Sequence, residues 1–292
     1  MNEQQNESFN KAEQTLKLLQ NISNLPAVPK VLQEISQLFN LPRISLKQVA
    51  DIVEKDPALT LKVLSVANSP LYGLRRNVTT IDSAVLILGI QEIKSIVTSI
   101  KMTSTIKMKP DKFFDPNKFW HHSMSVGVLA QRMSKDLGFT FEGDCFVAGM
   151  LHDMGVLIIH EYLSKEFHNI VEESKLKNIP FLEAEYDVLG LSHQEIGEYL
   201  TQKWSLPPVY TDALRFHHQP GNSKENNFLT SILHMADYTI NKFQMANIIW
   251  DENYKLDSSI IELLNFLSPE VLDEFIEAYK EDSVEASNSL II

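Results

Sequence analysis

DPNKFWHHSMSVGVLAQRMSKDLG, residues 115–138, decides the fold class of this 292-residue chain. Asp115 offers a side-chain acceptor to the orphan N–H groups of a helix, and Pro116 presets the first φ where its missing N–H costs nothing. Gly138 fits the glycine that follows a helix end. Between these limits Phe119, Val126, Leu129 and Met133 keep a three/four spacing on one face. His122, three after Phe119 and four before Val126, falls on that face too. The stretch predicts a long amphipathic helix that carries an imidazole inward.

The same grammar extends in both directions. Upstream, Ser45-Leu-Lys-Gln48 is a capping box leading into Val49, Ile52 and Val53. Asp56-Pro57 opens a helix with Leu59, Val63, Leu64 and Ala67 inside, and Val28 to Phe39 carries another helical face. Thr80 starts a helix broken at Gly89, and a further one runs from Ile90 to about Ile100. Downstream, helices are expected from about Asp144 to Asp153, stopping near Gly155, and from Glu161 to Leu176. Others are expected from the Ser192-His-Gln-Glu195 capping box to Trp204, from Pro207-Pro208 to His217, and through Leu229, Ile232, Leu233, Ala236 and Ile240. Alternating strand patterns are hard to find, and no repeat holds over three units. The fold class is all-α, in two packed helical lobes, with residues 107–117 interrupting the periodicity as a boundary.

Composition excludes several classes. One cysteine, Cys145, permits no internal disulfide, and its apolar neighbours mark it as a buried inert thiol. No apolar run approaches the roughly 20 residues of a membrane span, and the N-terminus MNEQQNESFNKAEQ is polar, unlike a secretory signal. A cytoplasmic location with no membrane association is the expectation. Of the net charge of −12, residues 251–292 hold −9, as eleven acids against Lys255 and Lys280. Bulk nucleic-acid binding is therefore not expected. Against this trend run Lys94, Lys101, Lys107, Lys109 and Lys112, either an ordinary solvated surface or a patch for docking a partner.

Seven residues form a candidate constellation: His122, His152, Asp153, His193, His217, His218 and Asp237. Imidazole and carboxylate suit divalent Fe, Mn, Zn or similar ions. Two histidines and two aspartates would complete one protein shell, and a bridging Asp with three more histidines would supply a second. Paired ions about 3.5–4 Å apart are a known device for phosphoester hydrolysis. The alternative is a set of hydrogen-bonded core histidines, the reading taken for His121 and His168. No phosphate-cradling glycine motif is present.

At these residues the chain resembles the HDOD family, a regulatory branch of the HD-domain phosphohydrolase superfamily. The N-terminal part matches in Leu25-Pro-Ala-Val-Pro29, Asp56-Pro-Ala-Leu-Thr60, Lys62-Val-Leu64, Ala67-Asn-Ser69, Tyr72-Gly73 and Ala84 to Gly89. The second part matches in Phe119-Trp120, His122-Ser123, Ala148-Gly-Met-Leu-His-Asp-Met-Gly155, Glu198-Tyr-Leu200, Trp204-Ser-Leu-Pro207 and His217-His218. The resemblance covers about residues 24–240 and implies an HDOD lobe over 24–110 and an HD-like core over 111–245; outside it lie a helical extension over 1–23 and an acidic helical tail over 246–292. On the superfamily pattern His122, His152, Asp153 and Asp237 align with the metal ligands. His193, His217 and His218 sit where related HD-GYP phosphodiesterases place second-metal ligands.

Two departures run against HD-GYP chemistry. The lysine expected three after the HD aspartate is Val156, and Gln-Pro-Gly-Asn-Ser follows His218 in place of the GYP loop. The resemblance thus implies a bacterial signal-transduction module that binds a signalling protein or a nucleotide second messenger. It would hold one or two divalent ions (Fe, Mn, Mg or Zn). The alternatives are an active metal-dependent phosphohydrolase, with metal-activated water and Asp153 central to it, and a plain helical scaffold.

Overall fold

A computed structural model describes residues 3–22, 45–72, 74, 76–104, 106–244, 248–250 and 255–281. All regular structure among them is helical. The N-terminal half comprises α1 (Glu3–Gln20), α2 (Leu46–Glu54), α3 (Pro57–Ala67), α4 (Ile81–Leu88) and α5 (Ile90–Thr103). The second half comprises α6 (Pro116–Asp136), α7 (Glu142–Leu151), α8 (Met154–Tyr162), α9 (Ser164–Lys177) and α10 (Phe181–Leu189). It continues through α11 (His193–Lys203), α12 (Pro208–Phe216) and α13 (Asn227–Lys242) to α14 (Ser259–Leu263) and α15 (Pro269–Glu277).

The caps anticipated from sequence are the ones that form. Ser45 and Gln48 bond reciprocally, as do Ser192 and Glu195. The Asp56, Thr80 and Asp115 side chains accept from the first turns of their helices. Gly89 and Gly138 stand at φ 87° and 80°, in the left-handed region that glycine enters without steric cost.

Several expectations are corrected. The helix read over 28–39, like Leu25-Pro-Ala-Val-Pro29, lies outside the described residues. On α3 it is Val66 that is buried, and Leu64 is only half-buried. No stop occurs at Gly155, which lies in the first turn of α8. The helix expected from Glu161 begins instead at Ser164, and α10 was not foreseen.

Two apolar clusters organise the molecule. One joins α2–α5 to one side of α6, α7 and α13, with Ile260, Leu272, Ile276 and Tyr279 from the C-terminal segment. The other joins α8–α12 to Phe114, Phe119, Leu151 and Trp250. The acidic tail is therefore packed down at its apolar positions, although Leu267 projects into solvent at 92% exposure. Lys242 pairs with Glu277 at 2.9 Å, and the Tyr279 hydroxyl donates to Asp136 at 2.7 Å. Helix α6 lies between α7 and α13, and α11 packs on both α8 and α12. These contacts bring the ends of the second-half helices onto one buried centre. Among the described residues no single helix is long and apolar enough to cross a membrane.

Candidate metal centre

Helices can converge this closely only where side chains are missing. A Cβ on Gly149 of α7 would sit 2.5 Å from the Gly127 Cα of α6. The two helices touch backbone to backbone there, which places His122 of α6 beside His152 at the end of α7. A Cβ on Gly155 would sit 1.8 Å from the His193 carbonyl oxygen. That second contact seats the start of α11 against the start of α8, directly after Asp153.

The first four donors form a tight group. His122 Nε2 lies 3.2 Å from His152 Nε2, and 3.3 Å from both Asp153 Oδ2 and Asp237 Oδ1. His152 Nε2 is 3.2 Å from Asp153 Oδ2 and 3.7 Å from Asp237 Oδ1. Four ligands each about 2.1 Å from one ion stand roughly 3.4 Å apart in a tetrahedron. His122, His152 and Asp153 stand at that spacing and could hold a divalent ion, with Asp237 beside both histidines. All four side chains are fully buried.

The other three histidines form a second group. His193 Nε2 is 3.3 Å from His217 Nε2 and 3.1 Å from His218 Nε2. Asp153 stands between the groups: Oδ2 faces the first, while Oδ1 lies 3.8 Å from His193 and 3.9 Å from His217. Asp153 Oδ1 and Asp237 Oδ2 are buried without a hydrogen-bond partner among the described residues. Oxygens in that state are costly in a dry interior, and a cation would satisfy them.

The outer contacts present the right tautomers. His152 Nδ1 donates to the Gly149 carbonyl at 2.7 Å, and His217 Nδ1 to that of Leu214 at 2.7 Å. His193 Nδ1 donates to Glu185 Oε2 at 2.8 Å, and the same oxygen accepts the His193 backbone N–H at 3.0 Å. Each bond leaves Nε2 as the lone-pair donor, the arrangement typical of ligating imidazoles.

Charge divides the two groups. At His122 burial opposes the cationic form, but the bonds to Asp153 and Asp237 outweigh it and raise its pKa to about 10. At His152 burial likewise opposes the charge, and the same carboxylates again win. Burial works against ionised Asp153 and Asp237 too, yet the neighbouring imidazoles hold both below the usual carboxylate range. His217 is pushed down to about 3 by burial and by the like charges of His152 and His193. The first group is thus a charge-balanced pair of pairs, from which an ion would displace protons. In the second group, burial already favours neutral, ligating imidazole at His217 and His218.

Three contributors escaped the sequence reading. Glu185 lies on the α10 face formed by Phe181, Ala184 and Leu189, and a carboxylate at that apolar spacing was the available signal. His234 buttresses His217, donating from Nδ1 to its carbonyl at 2.7 Å while Nε2 accepts the Asp257 backbone N–H at 2.7 Å. Trp250 donates from Nε1 to Asp153 Oδ2 at 2.6 Å, a link across 97 residues with no local pattern.

The lysines differ in their surroundings. Lys101 bonds Asp56 at 2.5 Å and ties α5 to the cap of α3. Lys94 is half-buried, whereas Lys107 and Lys109 are exposed beside the Asp111 turn. Val156, at the position of the HD-GYP lysine, is buried.

Residues 25–220 match the HDOD domain, about two-thirds of the chain. The chain is a member of the HDOD family. Among solved structures, an HDOD domain protein from Geobacter sulfurreducens is 26% identical, covering 96% of this chain and 97% of its own, with a TM-score of 0.75. A Shewanella amazonensis protein provisionally named a phosphohydrolase is 26% identical, covering 94% and 97%, with a TM-score of 0.67. An uncharacterized Treponema pallidum protein is 25% identical over 221 residues, 75% of this chain. This HDOD chain spans 42% of that relative's length.

Proposed function

We propose that this HDOD protein is a signal-transduction module whose HD-type centre holds divalent metal as a structural or sensory element. The observation that carries this reading is closure. His122, His152, Asp153 and Asp237 are fully buried, and of the seven candidate ligands only His218 reaches partial exposure. Closed shells characterise structural metal sites, whereas catalytic ones keep a position open to substrate. The apolar Val156 points the same way, since it offers nothing to a phosphate. Output would pass to a signalling protein or a nucleotide second messenger, with exposed Lys107 and Lys109 as contacts for an anionic partner surface.

A second reading, a metal-dependent phosphohydrolase, is favoured by one feature: Asp153 offers one oxygen to each of two donor groups, as a bridging ligand in a two-metal site would. Here the Shewanella similarity also counts. Metal analysis after expression with iron or manganese, combined with turnover of bis(p-nitrophenyl) phosphate and cyclic dinucleotides, separates the readings. Bound metal without turnover is expected. Metal-dependent turnover abolished by Asp153→Asn would replace the signalling reading with the hydrolase. Protein without metal that folds normally would leave a scaffold.

A further inference from the structure

Asp153 is the hinge of the centre, because its two oxygens serve different donor groups. What holds its carboxylate at one rotation is therefore a functional question. Asp153 immediately precedes α8, where an Asp side chain commonly accepts from the first-turn N–H groups. Here it makes no such bond. Its Oδ1 has no hydrogen-bond partner among the described residues. Besides His122 and His152 of the donor set, Oδ2 is bonded from outside it by Trp250, whose Nε1–H donates at 2.6 Å.

The indole is itself locked. It is 4% exposed and lies against Phe114 and Phe119, each with ring centroids 5.9 Å away. Its plane meets His122 edge-on, at 6.4 Å and 89°. It lies beyond the matched HDOD segment, which ends at residue 220. The donor atom touches the oxygen that lies 3.2–3.3 Å from His152 and His122.

We infer that Trp250 is a positioning residue of the metal centre: its N–H fixes the Asp153 carboxylate so that Oδ2 is committed to the His122/His152/Asp237 group and Oδ1 to the histidine trio. The inference rests on the metal-centre reading above. An outer-shell partner of this kind is typically worth 10–100-fold in metal affinity. Because Oδ2 keeps His152 and His122 at 3.2–3.3 Å while Oδ1 has its histidines only at 3.8–3.9 Å, the loss falls mainly on the second ion.

Trp250→Phe removes the N–H and keeps an aromatic ring against Phe114 and Phe119. Co2+ titration by calorimetry and visible absorption is the test. Wild type should take two ions in two steps. In Trp250→Phe the second step should weaken 10–100-fold, the first by less than about threefold, with the melting temperature nearly unchanged. Equal weakening of both steps would make Trp250 a packing residue only and overturn the assignment, as would wild-type titration by the variant. A wild type that binds a single ion overturns the bridging role. A wild type that binds none refutes the metal reading itself, and this assignment with it. A second measurement needs no change at Trp250. In Trp120→Phe/Trp204→Phe protein, where Trp250 is the sole indole, Co2+ should quench the emission from the first equivalent onward. Unquenched emission places the indole away from the ion and refutes the role.

Discussion

Gly155→Ala tests the geometry of the centre without altering any donor atom. The added Cβ would meet the His193 carbonyl oxygen at 1.8 Å, its carbon at 2.6 Å and its Cα at 2.9 Å. All three are backbone atoms, so no rotamer change relieves the clash. Reaching ordinary contact requires α8 and α11 to part by about 1.5 Å, a shift that a densely packed interior resists. Helix propensity alone would make Ala more stable than Gly by about 1 kcal/mol. Overpacking costs about 1–3 kcal/mol, and so severe an approach belongs at the upper end. The net loss is about 2 kcal/mol, and at roughly 2–4 °C per kcal/mol for a chain of this size the variant should melt about 4–8 °C lower. The same movement carries His193 away from Asp153 Oδ1, which already lies 3.8 Å distant. Scanning calorimetry of metal-free protein reads the first effect, and metal analysis of loaded protein the second. A variant that melts at or above wild type would refute the close-contact argument. One that melts low yet keeps two ions would refute the coupling of that contact to the centre.

Gly149→Ala should also be destabilising, by about 1–3 kcal/mol in urea denaturation, because its Cβ would meet the Gly127 backbone at 2.5–2.6 Å. A neutral or stabilising result would mean that the α6/α7 crossing is looser than described. In Glu185→Gln the acceptor oxygen remains for His193 but the charge is lost; calorimetric titration should show the second metal step weakened about tenfold and the first unchanged. Stripping the metal with a chelator should lower the melting temperature by several degrees, since an ion at 100 times its Kd adds about 2.7 kcal/mol. Asp111 is opposed by partial burial, yet bonds from His168, the Phe113 N–H and His160 bring its pKa from 3.8 to about 2. Its contribution is full above pH 4 and disappears as the pH falls toward 2. The stability difference between wild type and Asp111→Asn, about 1 kcal/mol or less at pH 5 after solvent screening, should vanish near pH 2 in urea titrations.

Local grammar carried most of the fold. Asp56-Pro57, Thr80, Asp115-Pro116 and the Ser45 and Ser192 boxes each start the helix expected of them, because a cap is satisfied within four residues. The inward face of α6 was equally plain, since Phe119, His122, Val126, Leu129 and Met133 are all buried. Gly155 misled because glycine serves two purposes. It ends helices, and it also lets backbones touch, and only the position of His193 distinguishes the two. Missing α8 followed from that reading. The seven candidate ligands were visible as residue types, and the structure divides them into two groups joined by Asp153. What supports them was not visible. Glu185 belonged to an unrecognised helix, and Trp250 acts across a separation that no periodicity reports.

The partial exposure of His218 has a kinetic corollary. An ion held by the histidine trio would have one partly exposed residue, His218, in its shell, whereas an ion beside His122 and Asp237 would be walled in by fully buried side chains. Exchange with the medium would then be sequential, outer ion before inner. Dilution into metal-free buffer should release the two in well-separated phases, and the slower phase is limited by how often the protein breathes open rather than by bond strength.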